Sequence, residues 1–263
     1  MILHEIAEKT KKRIQGQKEI LSLETIKKQA YSMPNDLAFS FEKALKQKEI
    51  SFICEVKKAS PSKGIISKEF PYIEIAKTYE QCGAAAISVL TEPFYFLGHD
   101  QYLREIAKEV RIPIIRKDFT IDEYMIYEAK VLGAQAILLI CALLDEKTMR
   151  EYMKIAEELG LSVLVEAHDE EEVRQALACN ARMIGVNNRN LKTFEVDIEN
   201  SIKLRSLIPQ NVIYVSESGM KTPQDIKRLR ENGTDAVLIG ETLMRSNSIQ
   251  HELNVLRGNR IEN

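Results

Sequence analysis

The sequence predicts an α/β fold in which eight βα units close into a (β/α)8 TIM barrel, and three observations carry that prediction. Eight short apolar runs recur, each separated from the next by enough chain for a helix. The stretches between them carry helical periodicity; Tyr72, Ile75, Ala76 and Tyr79 form one stripe, and Met149, Tyr152, Met153 and Ala156 another. The length of 263 residues suits a fold of about 250 residues. A doubly wound open sheet is the alternative, but it usually carries a glycine-rich GxGxxG turn after its first strand. Here that turn reads KKASPSKG.

Taken in order, residues 1–48 contain a polar amphipathic helix marked by Ile2, Ile6 and Ile14 and a second helical piece around Phe39–Lys46. They are too few to bury a core of their own, so they are expected to pack on the barrel as an N-terminal helical extension of a single domain, 1–263. Strands are expected at Ser51–Lys57, Ala85–Leu90, Pro113–Lys117, Ala136–Ile140, Ser162–Glu166, Met183–Asn187, Val212–Ser216 and Ala236–Ile239. Gly83, Gly133, Gly160 and Gly233 each follow a helical stretch and precede a strand, where a left-handed helix stop belongs. Thr222, Pro223 and Asp225 open a helix with a hydroxyl cap, a first-turn proline and a first-turn acid.

Bulk composition excludes several function classes. The chain is 44% hydrophobic and 29% charged, with a net charge of −2 and mixed signs along its length. That argues against a nucleic-acid partner bound by a basic face. No apolar run approaches the roughly 20 residues of a membrane span, and the N-terminal segment does not have the pattern of a secretion signal. Cys54, Cys82, Cys141 and Cys179 are widely spaced and lack ligand partners at metal-binding intervals, so they are expected to be buried free thiols in a reducing, cytoplasmic setting. Monomer and weak homodimer remain open.

The chemistry is concentrated at strand ends, because the carboxyl ends of barrel strands build the active site. Strand 1, FICEVKKASPSKGI, carries Glu55 and Lys57 two residues apart, hence on one face, ~7 Å apart. A structural ion pair is the bland reading of such a pair. Strand 3 ends in Lys117 and Asp118, strand 5 in Glu166 and His168, and strand 6 in Asn187, Asn188 and Arg189. Strand 7 runs into Glu217, Ser218 and Gly219, and strand 8 into Gly240. Six strands thus deliver polar groups or glycine to one rim. Lysines and glutamates brought together with little water suit proton transfer. His168 is as readily a surface loop residue.

A phosphate site is expected from Ser218, Gly219 and Gly240, which flank the short helical start ETLMRS. Glu241 at that start is an objection unless only its backbone N–H faces the ligand. Ser60 and Arg189 are candidate flanking donors.

The motifs EVKKASPSKG, VLTEPFYFLG, IIRKDF, LVEAH, IGVNNRNL, SESG and LIGETLM, in that order, resemble indole-3-glycerol-phosphate synthases of tryptophan biosynthesis from about Ile2 to Met244. The resemblance implies a (β/α)8 barrel whose N-terminal extension covers the active-site mouth. It implies ring closure, decarboxylation and dehydration of 1-(2-carboxyphenylamino)-1-deoxyribulose 5-phosphate to indole-3-glycerol phosphate, without metal or organic cofactor. In it Lys117 is the general acid, Glu166 a base, and Glu55 an acid–base group of the dehydration. Lys57 binds the substrate carboxylate and orients Glu55, Asn187 holds hydroxyls, and Glu217 is a relay carboxylate. Ser60, Arg189, Ser218, Gly219, Gly240 and the Glu241 backbone cradle phosphate. Phe96 and Leu138 line an aromatic slot with Phe119 near it, and the SPSKG segment is a mobile loop over the substrate. Ser216 stands where the family usually has alanine, and with Asn263 soon after the last strand no fused isomerase domain is expected. Two alternatives remain: another phosphate-binding barrel such as phosphoribosylanthranilate isomerase, and a catalytically silent barrel partner.

Overall fold

The computed structural model describes residues 2–258. Eight parallel strands close a barrel: strand 1 (Ser51–Val56), strand 2 (Ala86–Leu90), strand 3 (Ile114–Lys117), strand 4 (Ala136–Ile140), strand 5 (Ser162–Ala167), strand 6 (Met183–Asn187), strand 7 (Ile213–Glu217) and strand 8 (Ala236–Ile239). Closure is made by strand 1, which pairs with strand 2 from Ile53 opposite Ala86 and with strand 8 from Ser51 opposite Ala236. Every expected strand is present, with ends moved by one residue at most. The shift matters at two places: Glu217 ends strand 7 from within the ladder, and Lys57 lies just past strand 1.

Strand alternation separates two cores. Ile53, Ile115, Leu138, Leu164, Met183 and Val215 point into the barrel. Cys54, Val56, Val165 and Ile184 point outward and pack under the helices. The four helix-stop glycines all take the left-handed conformation, with φ between 68° and 96°. The helix Pro223–Glu231 opens with a complete capping box between Thr222 and Asp225.

The N-terminal extension is longer in helix than the sequence suggested. Ile2–Ile20 is one helix and Ser40–Leu45 another, but Leu23–Ser32 forms a third that periodicity did not reveal. Only Ile26 and Ala30 of it are buried, too sparse a stripe to read. The three helices run from one end of the barrel to the other. Leu3 caps the inner core at the carboxyl end of the strands, and Phe41 and Leu45, both 0% exposed, plug the opposite end. Burial of a side chain of that size contributes about 1.5–3 kcal/mol. Backbone and hydroxyl bonds hold the plug: Phe39 N–H donates to Gly160 O at 3.0 Å, and Glu42 N–H to Ser162 Oγ at 3.4 Å. No helix among the described residues is long and apolar enough to cross a membrane.

Candidate active site

The site grows from the inward positions at the carboxyl ends of the strands. On strand 1, alternation puts Glu55 on the same face as Ile53 and sends Cys54 into the outer core. Lys57 Nζ donates to Glu55 Oε1, and Ser88 Oγ of strand 2 lies 3.4 Å from Glu55 Oε2. On strand 3, Lys117 Nζ donates to Glu166 Oε2 of strand 5 at 2.7 Å and to Glu217 Oε2 of strand 7 at 2.8 Å. Asn187 Nδ2 of strand 6 donates to Glu166 Oε1 at 3.1 Å. Residues far apart in sequence therefore share one buried ammonium.

Two glycines make room for this cluster. A Cβ on Gly185 would stand 2.2 Å from Glu217 Oε1, and one on Gly240 would stand 2.5 Å from Glu55 Oε1. Gly240 thus has a task beyond its expected place at the phosphate. Gly185, inside the IGVNNRNL motif, is a functional position that the strand-end reading of the sequence passes over. Its signal was a glycine interrupting a strand, which marks close approach of another group.

Burial and charge set the protonation pattern. Burial alone would depress the Lys117 ammonium, but Glu166, Glu217 and Glu55 raise it well above the ordinary lysine value. Burial would raise Glu166, yet Lys117 and His168 hold it far below the usual carboxylate range. Glu217 goes the other way: burial, with repulsion from Glu166 and Glu55, outweighs Lys117 and pushes it up to about 7. Glu217 Oε1 is buried without a hydrogen-bond partner. The site therefore holds a cation, an ionised carboxylate and a carboxyl group poised near neutrality.

His168 is not the surface residue it resembled in the sequence. Its Nδ1 lies 2.9 Å from Glu172 Oε2 and its Nε2 lies 3.4 Å from Glu166 Oε1. Burial would lower its pKa, but the two glutamates raise it to about 10. Two other rim residues turn away. Asp118 is 1% exposed and accepts from Arg13 Nη2 and Thr91 Oγ1 at 2.8 and 2.6 Å. Asn188 Nδ2 donates to Ser216 Oγ and Ser218 O, both at 3.0 Å. Ser216 is thereby part of a buried hydroxyl network with Ser201, whose Oγ is 2.8 Å away.

The cluster floors a cavity of about 700 Å³. One end is aromatic and apolar, with Phe96, Phe119 and Leu138; the two rings stand 5.9 Å apart. The other end collects Ser60, Arg189, Ser218, Gly219, Gly240 and Glu241. Ile2, Leu3 and Ile6 of the first helix form the roof. Ser60 Oγ is buried with no hydrogen-bond partner. It lies on a short antiparallel hairpin, Ala59–Ser60 with Gly64–Ile65, where the sequence suggested a loop. Glu241's carboxylate faces cations: Arg245 Nε at 3.2 Å, Arg189 Nη2 at 3.5 Å and Lys63 Nζ at 3.7 Å. Lys63 and Arg245, which the sequence does not single out, also line the cavity and pair with Glu241.

A sequence profile described as indole-3-glycerol phosphate synthase matches residues 3–256. The chain belongs to the indole-3-glycerol phosphate synthase family. A protein of that name from Ruminiclostridium cellulolyticum is 60% identical over 258 residues, covering 98% of this chain and 99% of the relative. Another from Lachnoclostridium phytofermentans is 53% identical, covering 94% of this chain and 96% of the relative. Solved structures at 12–13% identity share the fold alone. One is described as KGPDC from Streptococcus mutans (TM-score 0.62, covering 80% of this chain and 97% of that one). Another belongs to a Pyrococcus furiosus tryptophan synthase a2b2 complex (TM-score 0.59, covering 79% and 97%).

Proposed function

We infer that this chain is an indole-3-glycerol phosphate synthase: a carboxy-lyase that closes, decarboxylates and dehydrates 1-(2-carboxyphenylamino)-1-deoxyribulose 5-phosphate, with no cofactor. The observation that carries this reading is Lys117, an ammonium held by Glu166 and Glu217 at 2.7 and 2.8 Å. It lies in a cavity that is aromatic at one end and rich in glycine and cations at the other. A substrate with an aromatic carboxylate at one end and a phosphate at the other fits that polarity.

The arrangement supports the following chemistry. The ring carbon bearing the carboxylate attacks the ribulose carbonyl, and Lys117 donates a proton to the developing alkoxide. The carbon–carboxylate bond then breaks, its electrons restore the aromatic ring, and carbon dioxide leaves. Lys57 is the counter-ion for that carboxylate before it departs. Glu166 takes a proton in the dehydration, while Glu55 protonates the departing hydroxyl, which leaves as water. Glu217 returns protons to Lys117, a task that suits a carboxyl group titrating near neutrality. Asn187 fixes Glu166 and the substrate hydroxyls. Ser60, Arg189, Ser218, Gly219 and the Gly240–Glu241 backbone grip the phosphate, and this remote binding holds the flexible chain in its reactive fold. The isomerase alternative has no support from Cys54, which packs outside the barrel.

The chain contains no tryptophan, so the indole fluorescence of the product is free of a protein indole signal. Supplying the substrate to folded protein is expected to generate that signal with release of carbon dioxide. A folded protein that releases neither is not this enzyme.

A further inference from the structure

The loop after strand 2, residues 91–98, has no part in the chemistry above beyond Phe96, yet its shape is closely specified. Glu92 is 0% exposed. Its carboxylate accepts three successive backbone N–H groups, from Phe94 at 2.9 Å, Tyr95 at 2.7 Å and Phe96 at 3.0 Å. The loop closes on itself through Gly98 N–H to Glu92 O at 2.8 Å. A Cβ on Gly98 would stand 2.4 Å from Leu90 O, so no larger residue fits there. Leu97 takes a left-handed φ of 51°, a conformation that the surrounding bonds must hold against its own preference.

Three walls of the cavity hang from this loop. The Phe96 ring packs with Phe119 in the aromatic slot. Phe96 O accepts Ala59 N–H at 3.2 Å, which hooks the hairpin that carries Ser60. Tyr95 Oη donates to Glu5, and Lys9 Nζ lies 4.6 Å from the Tyr95 ring centre, which fastens the roof helix. Charge-assisted bonds from N–H to carboxylate are about twice as strong as neutral ones. One carboxylate therefore sets the backbone on which the slot, the hairpin and the roof converge.

We propose that Glu92 is a positioning residue for substrate recognition: by ordering the 93–96 backbone it presents Phe96 to the aromatic ring of the substrate. The proposal rests on the aromatic end of the cavity serving as assigned under Proposed function. Glu92 acts through Phe96 and touches no reacting atom, so its effect belongs in binding rather than in turnover.

The test compares Glu92→Gln with wild type, using steady-state kinetics and two probes, an N-alkyl-2-aminobenzoate and inorganic phosphate, as competitive inhibitors. The amide keeps the volume but sets an NH2 against backbone donors. KM is expected to rise about tenfold and kcat to stay within about threefold. The aminobenzoate inhibition constant should weaken in step with KM, and that of phosphate, which the loop reaches only through the hairpin carrying Ser60, should weaken severalfold less. Phe96→Ala should raise KM as well, and the double variant should be no worse than Phe96→Ala alone. Glu92→Asp keeps both oxygens but draws them back; it should show an intermediate KM, and it carries the test if the glutamine variant does not fold. An unchanged KM in a folded variant overturns the proposal. So does equal weakening of both probes, or an additive double variant, since either makes Glu92 a general support. Wild-type protein without turnover is a different result and removes the functional reading instead.

Discussion

Two charged clusters meet on strand 3, one residue apart, and they do opposite things. Lys117 points into the barrel and Arg116 points out of it. Arg116 is 1% exposed; its Nη2 lies 2.7 Å from both Asp100 Oδ1 and Glu128 Oε2, and its Nε and Nη1 reach Thr91 Oγ1 and Met125 O at 3.0 and 3.1 Å. Asp118 joins it 3.6 Å away and pins Arg13 of the N-terminal helix. This outer cluster packs under the helices and meets solvent mainly at the edge of Asp100, whose side chain is 24% exposed. The inner cluster is as buried and as charged, but one face opens on the cavity. Buried charge alone does not mark an active site; an open face with room for a ligand beside it does.

That contrast is open to measurement. The largest expected effect is on turnover. Lys117→Ala should lower kcat by roughly 10²–10⁴ with a modest change in KM. Thermal or denaturant unfolding should show less destabilisation than the next variant. Near-normal turnover would remove the general-acid role.

Arg116→Met should do the reverse. Removing the guanidinium leaves Asp100 and Glu128 without their buried counter-charge, a loss of roughly 3 kcal/mol or more. Below its lowered melting temperature the variant should keep kcat within severalfold of wild type. If turnover collapses while the fold persists, the division between the clusters fails.

A smaller effect, within the inner cluster, concerns Glu217. Its folded pKa of about 7 lies above the ordinary 4.5. Between those values the folded state keeps a proton that the unfolded state has released, so this group's contribution to stability falls as pH rises from 4.5 to 7. Glu217→Gln lacks that term. Its stability relative to wild type should climb across this window and level off above it. Denaturant titrations at pH 5, 6, 7 and 8 read this directly, and a flat difference would deny the raised pKa. The same variant should lose a limb near pH 7 from the profile of kcat/KM.

The smallest effect belongs at the phosphate end. Glu241 is paired with partly exposed Lys63, Arg189 and Arg245, where each contact is worth about 0–1 kcal/mol. Glu241→Gln frees those cations, and inorganic phosphate should inhibit severalfold more tightly at low salt, with the gain shrinking as salt is added. Unchanged inhibition would mean that the carboxylate and the phosphate do not share these cations.

Much of the site was legible because strand side chains alternate. Glu55, Lys57, Lys117, Glu166, Asn187 and Glu217 follow from period two once a strand end is located, and all six line the cavity. Sequence leaves His168 open because nothing local says that Glu172, in the first turn of the next helix, reaches back to its ring. The helix Leu23–Ser32 escaped notice because it buries only two side chains. Asp118 and Asn188 looked like rim residues from their place after a strand, but their partners Arg13 and Ser201 lie on other elements.

The local plan is written in the chain: eight strands, the helices between them, the glycine stops and the inward parity of each acid and base. Those features depend on sterics and spacing within a few residues. Which neighbours meet is set by the folded barrel. Barrel closure brings strand 3 against strands 5 and 7 through the centre, so that Lys117 can pair with Glu166 and Glu217. It also makes Gly240 necessary, because closing strand 8 on strand 1 drives the Glu55 carboxylate into the space where its Cβ would stand; at Gly185 the pairing of neighbouring strands 6 and 7 does the same with Glu217. Long-range packing sets those distances, and a strand pattern carries no record of its partner across the barrel.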